Sequence, residues 1–381
     1  MSDDQTMPES DRVEGAPHPR DTRSLVGQHR AEASFLDAWA TGRMHHGWLL
    51  TGPRGVGKAT LAWRIARFLL TTPGQGDDGL FGATPPPPTL DVPADHPVAH
   101  RMAAMAEPRL FLLRRAWDEK RKALKTVITV DEVRRLKSFF NLSATEGGRR
   151  VVIVDCADEM NPNAANALLK LLEEPPENAI LLLVAHQPAR LLPTIRSRCR
   201  ELRLTTLAPD DMAAALAAAG AETARPQALA ALSGGSVGEA IRLTHLDGLT
   251  LYAGIVELLS GLPRLDRPAA LKLADSVAGK GSETRFDLIQ RLFEVFLGRL
   301  ARTGAMGPPS PEAAPGEAAL MTRLCPGTEA ARAWAQAAET LGARLRHGRA
   351  VNLDPASLIL DTVLRIEQTA APLAARQATQ A

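Results

Sequence analysis

The sequence predicts an α/β domain built on a parallel sheet, followed by a small helical lid and an all-helical C-terminal domain. Three observations carry this reading. The short apolar run Gly47-Trp48-Leu49-Leu50-Thr51 ends in a glycine-rich loop, and Leu61, Ile65, Ala66, Leu69 and Leu70 then recur at helical spacing. Val151 to Asp155 and Ile180 to Ala185 are continuous apolar runs, as expected of strands covered on both faces, and a helical stretch separates them. After Leu207 the strand signals stop. Strands alternating with helices up to about residue 204 are the pattern of a parallel sheet sandwiched by helices.

Residues 1–22 are polar, carry acids early and lack the apolar core of a signal peptide, so they read as a disordered tail. Val26-Gly27-Gln28 leads into a helix through Phe35, Leu36 and Trp39. Residues 72–100 are rich in Gly, Pro and Asp, including the run Pro85 to Pro88, and read as a loop or flexible insertion. A basic stretch follows with Arg114, Arg115, Lys120, Arg121, Lys122 and Lys125 around Trp117; a solvated face and a contact to DNA phosphate both fit it. Val130 to Phe140 reads as a helix with Asp131 as its N-cap. Ala164 to Glu174 reads as another, stopped by Pro175-Pro176. Residues 208–245 divide into three short helices at Gly220 and at Gly234-Gly235. Residues 246–372 are helical apart from a Pro/Gly/Ala loop at 304–318. The stripe Leu288, Leu292, Val295 and Phe296 suits a packed core or an interface.

Hydrophobic residues make up 45% and charged residues 23% of the 381, enough apolar material for a sizeable core in a soluble globular chain. The formal net charge of +2 argues against a protein that coats itself in nucleic acid, so any DNA contact is local or shared with partners. The cysteines are three, Cys156, Cys199 and Cys325, without zinc-ligand spacing; no zinc and a reducing, cytoplasmic setting are expected. No run approaches the roughly 18 apolar residues of a membrane span.

Gly52-Pro53-Arg54-Gly55-Val56-Gly57-Lys58-Ala59-Thr60 lies between the predicted strand and helix, which is nearly the pattern of a phosphate-binding P-loop. Backbone amides and the helix N-terminus attract phosphate oxygens, and Lys58 reaches the terminal phosphates. Gly52, Gly55, Val56, Gly57, Lys58, Ala59 and Thr60 are therefore candidate nucleotide-binding residues. Asp155, at the end of an apolar strand, is placed to hold the metal. Two departures stand out. Ala59 occupies the position where a Ser or Thr hydroxyl ligates magnesium, and Thr60, rotated by about 100° around the helix, does not reach the same point. Cys156 occupies the position where an ATPase of this kind carries the carboxylate that polarises water; it reads as a small buried residue without a nearby histidine partner. Asp158 and Glu159 fall on the turn beyond. ATP or ADP can still be held by backbone and Lys58, with weak Mg²⁺ coordination and no metal site of the protein's own. A site that binds without hydrolysing is the expectation.

Asn166-Ala167-Leu168-Leu169-Lys170-Leu171-Leu172-Glu173-Glu174-Pro175-Pro176, followed by Ile195-Arg196-Ser197-Arg198-Cys199, resembles the clamp-loader branch of the AAA+ P-loop proteins. Asp158-Glu159-Met160-Asn161 before Ala164-Ala165-Asn166 resembles its delta-prime-type members rather than gamma/tau. The matching segments span residues 25–205. The resemblance implies an AAA+ P-loop domain over 23–206, a helical lid over 207–245, an all-α collar domain over 246–372 and a tail over 373–381. It also implies that Arg198 acts in trans as an arginine finger on ATP held by a neighbouring subunit. The slot from which active relatives offer a lid arginine is Gly238 here, with Arg242 one turn later. The four-cysteine zinc module of many relatives is absent, leaving His96 and His100 as solvated residues. The implied role is an accessory subunit of the DNA polymerase III holoenzyme, without catalysis of its own. Its partners would be gamma/tau and delta subunits in a hetero-oligomer that places the beta sliding clamp on primer-template DNA. An active gamma/tau-type ATPase, with Thr60 and another carboxylate taking over the lost roles, is the alternative.

Overall fold

The computed structural model describes residues 9–13, 15–72, 88–142, 148–221, 223–279 and 281–380. They divide into two compact units, residues 1–222 with 235–239, and residues 223–234 with 240–381.

In the first unit the elements run α1 (His29–Ala40), β1 (Gly47–Thr51), α2 (Lys58–Thr71), α3 (Pro97–Ala103), β2 (Leu110–Leu113), β3 (Trp117–Asp118), β4 (Ala123–Leu124), α4 (Val130–Leu142), β5 (Arg150–Val154), α5 (Pro162–Glu173), β6 (Ala179–Val184), α6 (Pro193–Arg196), β7 (Arg200–Arg203) and α7 (Pro209–Ala218). The main sheet has the order β2-β5-β6-β1-β7, and every neighbouring pair is parallel. Alternate residues of the central strands feed two separate cores. Trp48, Leu50, Val151, Ile153 and Leu182 pack under α1 and α2, whereas Leu49, Val152, Val154, Leu181 and Leu183 pack under α4 and α5. Both faces are therefore buried, which is why these strands are continuously apolar. The expected α/β fold with a parallel sheet is present. Strand β7 escaped the sequence reading because Arg200-Glu201-Leu202-Arg203 buries only Leu202.

Several local expectations are corrected. Helix α4 is opened by Thr129 rather than Asp131: the Glu132 carboxylate reaches back to accept from the Thr129 amide at 2.7 Å and from its hydroxyl, the Glu half of a Thr-x-x-Glu capping box. The basic stretch folds into the hairpin β3–β4, with Trp117 opposite Leu124. Within the expected loop 72–100, Pro97 begins α3, and His96 is no solvated loop residue but its cap, accepting from the Val98 amide at 3.2 Å; residues 73–87 lie outside those described. The expected tail at 1–22 is tied down wherever it is described, at 9–13 and 15–22, through ion pairs and through guanidinium groups of α2 that bind its carbonyls.

The second unit is helical: α8 (Pro226–Ser233), most of α9 (Val237–His245), α10 (Gly248–Ser260), α11 (Arg267–Asp275), α12 (Glu283–Met306), α13 (Glu317–Leu324), α14 (Thr328–Ala350) and α15 (Pro355–Gln380). Helix α12 packs along α14, and α15 against α11 and α14. Leu288, Leu292 and Phe296 face this core, with Val295 half-buried beside them. Glu317 is fully buried, accepting from Tyr252 Oη at 2.6 Å, Arg299 Nε at 2.7 Å and the Ala313 amide at 2.6 Å. Within the expected tail at 373–381, α15 continues through Pro372 to Gln380, and residue 381 lies outside those described. Among the described residues no helix is long and apolar enough to cross a membrane.

Candidate nucleotide site

Parallel strands send all their carboxyl ends to one edge of the sheet, where ligands of such folds bind. Arg114 follows β2, Asp155 and Cys156 follow β5, His186 follows β6 and the glycine loop follows β1, so the sheet order brings these residues to one edge.

The loop has the geometry of a phosphate cradle. It leads directly into α2, whose first residue is Lys58. Gly55 has φ +78°, where a side chain is strained, and a Cβ there would lie 2.3 Å from Ser236 Oγ. Gln28 braces the loop from behind: its Nε2 donates to the carbonyls of Val56 at 3.2 Å and Thr205 at 2.8 Å, and its Oε1 accepts from the Thr205 amide at 3.1 Å. The Lys58 ammonium is folded back onto its own loop, donating to the carbonyls of Gly52 at 2.7 Å and Pro53 at 2.5 Å. Burial pushes Lys58 down to about 8 despite the nearby Cys156, Asp158 and Asp155. Ala59 and Thr60 stand at the start of α2, and Ala59 brings a methyl group where a metal ligand would be needed.

Asp155 is 5% exposed, and burial, with the charges of Asp11 and Glu159, pushes it up to about 7. With a methyl group at position 59, the site offers one oxygen ligand fewer to the oxygen-rich octahedral shell of magnesium, leaving the Asp155 carboxyl group at the strand end. Cys156 adopts φ +58°, a left-handed conformation unusual for a residue with a side chain. The turn sends Asp158 back to accept from the amides of His186 and Gln187, both at 3.0 Å. Contrary to expectation, Cys156 has a histidine partner: its Sγ lies 3.3 Å from His186 Nε2. The two are thirty residues apart in sequence, and only the pairing of β5 with β6 brings them together; His186, just past the predicted strand Ile180–Ala185, was the available signal. Burial holds His186 down at about 4 and raises the Cys156 thiol, so the pair is a neutral thiol and imidazole, not a thiolate couple. Glu159 is engaged by Arg115 at 2.7 Å. Position 156 therefore supplies no carboxylate base.

The Gly235–Glu239 segment belongs to the first unit and closes the top of the loop. Ser236 Oγ accepts from the Glu239 amide at 3.2 Å, capping α9, and the Gly238 amide donates to the Gly55 carbonyl at 3.0 Å. A Cβ on Gly238 would lie 3.2 Å from Gly55 Cα, so a side chain departing from this position crowds the loop.

Arg198 stands outside this cluster, on the turn between α6 and β7. Its Nη2 lies 3.0 Å from Glu173 Oε1 at the end of α5, and its Nη1 donates to the Thr194 carbonyl at 3.1 Å. Both charged side chains are about two-fifths exposed, at 38% and 42%. Among the described residues no group of three or more His, Cys, Asp or Glu side chains is arranged to hold a metal ion.

Comparison with known proteins agrees with this geometry. The family model described as DNA polymerase III, delta subunit matches residues 27–208. The chain is 40% identical over 243 residues to DNA polymerase III subunit delta-prime of Pseudomonas aeruginosa, covering 61% of this chain and 65% of that one. It is 33% identical over 215 residues to the delta-prime subunit of Escherichia coli, covering 56% and 58%. It is 30% identical over 206 residues to the gamma/tau subunit of Mycobacterium bovis, covering 52% and 31%. The matches thus span less than two thirds of each relative's length.

Proposed function

We propose that the chain, whose residues 27–208 match the model of the DNA polymerase III delta subunit and which is 40% and 33% identical to two delta-prime subunits, is a non-hydrolysing member of a clamp loader and serves a neighbouring subunit's ATP site. It would act in the cytoplasm with gamma/tau and delta subunits, in an assembly that places the beta clamp on primer-template DNA. The observation that carries this is the contrast between the two halves of the chemistry in one chain. The cradle and Lys58 survive, yet Ala59 and Cys156 occupy the metal-ligand and water-polarising positions, and Asp155 is pushed up to about 7. Arg198, by contrast, is about two-fifths exposed and held by one exposed carboxylate, Glu173, and by the Thr194 carbonyl. An exposed ion pair is worth less than about 1 kcal/mol, so the guanidinium can leave Glu173 for a phosphate.

Hydrolysis needs charge stabilised on the departing phosphoryl group and a positioned water. In this reading Arg198 supplies the first across a subunit boundary, and the chain's own loop contributes ADP or ATP binding at most. The test is ATP turnover of the assembled complex with DNA and clamp, beside the isolated chain. A silent isolated chain and an Arg198→Ala complex slowed by about tenfold or more support the reading, given the usual worth of such an arginine. Turnover by the isolated chain that disappears in Lys58→Ala replaces it with the active gamma/tau-type ATPase.

A further inference from the structure

The N-terminal segment runs across the mouth of the phosphate loop. Residues 15–25 are anchored on α2: the His18 ring sits edge-on to Trp63 at 6.1 Å, Arg67 Nη2 donates to the Arg20 carbonyl at 2.8 Å, and Arg64 donates to the carbonyl of Arg23. Leu25 packs so closely that a Cβ on Gly57 would lie 2.5 Å from its Cδ1. Further out, Val13 Cγ2 reaches the place where Gly238 meets Gly55, 3.7 Å from a Cβ on Gly238. Beyond it the strap carries a set of ion pairs. Arg114, at the end of β2, binds Asp11 and lies 2.9 Å from Glu9 Oε1; Arg20 reaches the same Glu9 oxygen at 2.7 Å, and His18 Nε2 lies 3.1 Å from Asp11 Oδ2. Asp11 is buried, and its carboxylate adds to the negative field at Asp155.

We propose that residues 9–13 form an intramolecular lid that competes with nucleotide for the phosphate loop, latched by Glu9 and Asp11 on Arg114. The inference rests on the reading of the loop as a phosphate site. Three features agree with competition. The strap brings carboxylates to the edge of a site for anions, so strap and polyphosphate repel each other. Val13 packs beside Gly238, the residue whose amide binds the Gly55 carbonyl. The latch is a set of ion pairs at Glu9 and Asp11, while the part that satisfies the buried guanidinium groups of α2 stays in place when the latch opens. The apparent affinity is then the intrinsic affinity multiplied by the fraction of molecules in which the strap is lifted.

The test is titration with a fluorescent ADP analogue, with hydrogen exchange of the peptide covering residues 9–22 followed in parallel. Glu9→Ala/Asp11→Ala is expected to bind about tenfold tighter than the unaltered chain, equivalent to about 1.4 kcal/mol. In the unaltered chain, exchange of residues 9–13 should rise as the analogue saturates. Equal affinities, absence of binding by the variant at millimolar analogue, or a strap that stays protected in the bound chain each overturn the proposal. Arg114→Met cuts the same pairs from the other side and repeats the titration should the double variant not fold. Failure here leaves the role of Arg198 untouched, because that role is read from turnover of the assembled complex.

Discussion

The amide of Gly238 donates to the carbonyl of Gly55 at 3.0 Å, joining the start of α9 to the crown of the phosphate loop. Gly55 requires glycine, since its φ is +78° and a Cβ would meet Ser236 Oγ at 2.3 Å, while a Cβ on Gly238 would press on Gly55 Cα at 3.2 Å. Gly238→Arg, the change that would restore a lid arginine, should therefore lower stability by about 1–3 kcal/mol, the usual cost of overpacking. It should not raise nucleotide affinity. Thermal unfolding and nucleotide titration of this one variant check both statements; a stable variant that binds ATP more tightly would show that the contact yields.

Lys58 illustrates a second cost carried by the loop. Its ammonium is buried and pushed down to about 8 from an ordinary value of 10.5. The unfolded chain keeps this proton to higher pH than the native one. The penalty for Lys58 is therefore full below pH 8 and fades as pH rises from 8 toward 10.5. Lys58→Met should stabilise the apo chain by about 1–3 kcal/mol near neutral pH, after allowing for two lost hydrogen bonds, with the gain shrinking in alkaline buffer. Urea unfolding at several pH values measures it. A variant less stable than the parent at neutral pH would refute the argument.

The parts of this architecture legible in the sequence are those where local pattern and burial agree. Val151–Val154 and Ile180–Val184 are buried on both faces and are apolar throughout; the loop at Gly52–Lys58 announces itself by glycine spacing. The emptiness of positions 59 and 156 was visible because a missing hydroxyl and a missing carboxylate are facts of residue type. What escaped depends on contacts between residues distant in sequence. His186 meets Cys156 only because β5 and β6 pair. Gln28 braces Val56 and Thr205 across the domain. The N-terminal strap reads as a polar tail until Arg114, Arg64 and Arg67 supply partners from more than forty residues away.

Arg198 and Glu173 should separate function from stability. Their pair is exposed, so Glu173→Ala is expected to change unfolding free energy by less than about 0.5 kcal/mol. Arg198→Lys keeps the charge but loses the planar fork, and should slow the assembled complex almost as much as Arg198→Ala. Steady-state turnover with thermal melts of each isolated variant decides this. Full activity with lysine would mean that position 198 needs only a point charge.

In the C-terminal unit the corresponding sensitive point is Glu317. The carboxylate is fully buried, with Arg299 at 2.7 Å, Tyr252 Oη at 2.6 Å and the Ala313 amide at 2.6 Å. These contacts fasten the loop before α13 to α10 and α12, which is why a charged group is retained in an otherwise apolar helical core. Glu317→Ala leaves the Arg299 guanidinium and the Ala313 amide without their acceptor, and burial then works against both. The expected loss is about 3–5 kcal/mol, the range for breaking a buried pair from one side. Tyr252→Phe removes only one donor to a carboxylate that keeps its others, so its cost should be nearer 1–2 kcal/mol. Denaturant unfolding of the two variants against the parent tests the ordering. A Glu317→Ala loss no larger than that of Tyr252→Phe would mean that the pair is not what holds this loop.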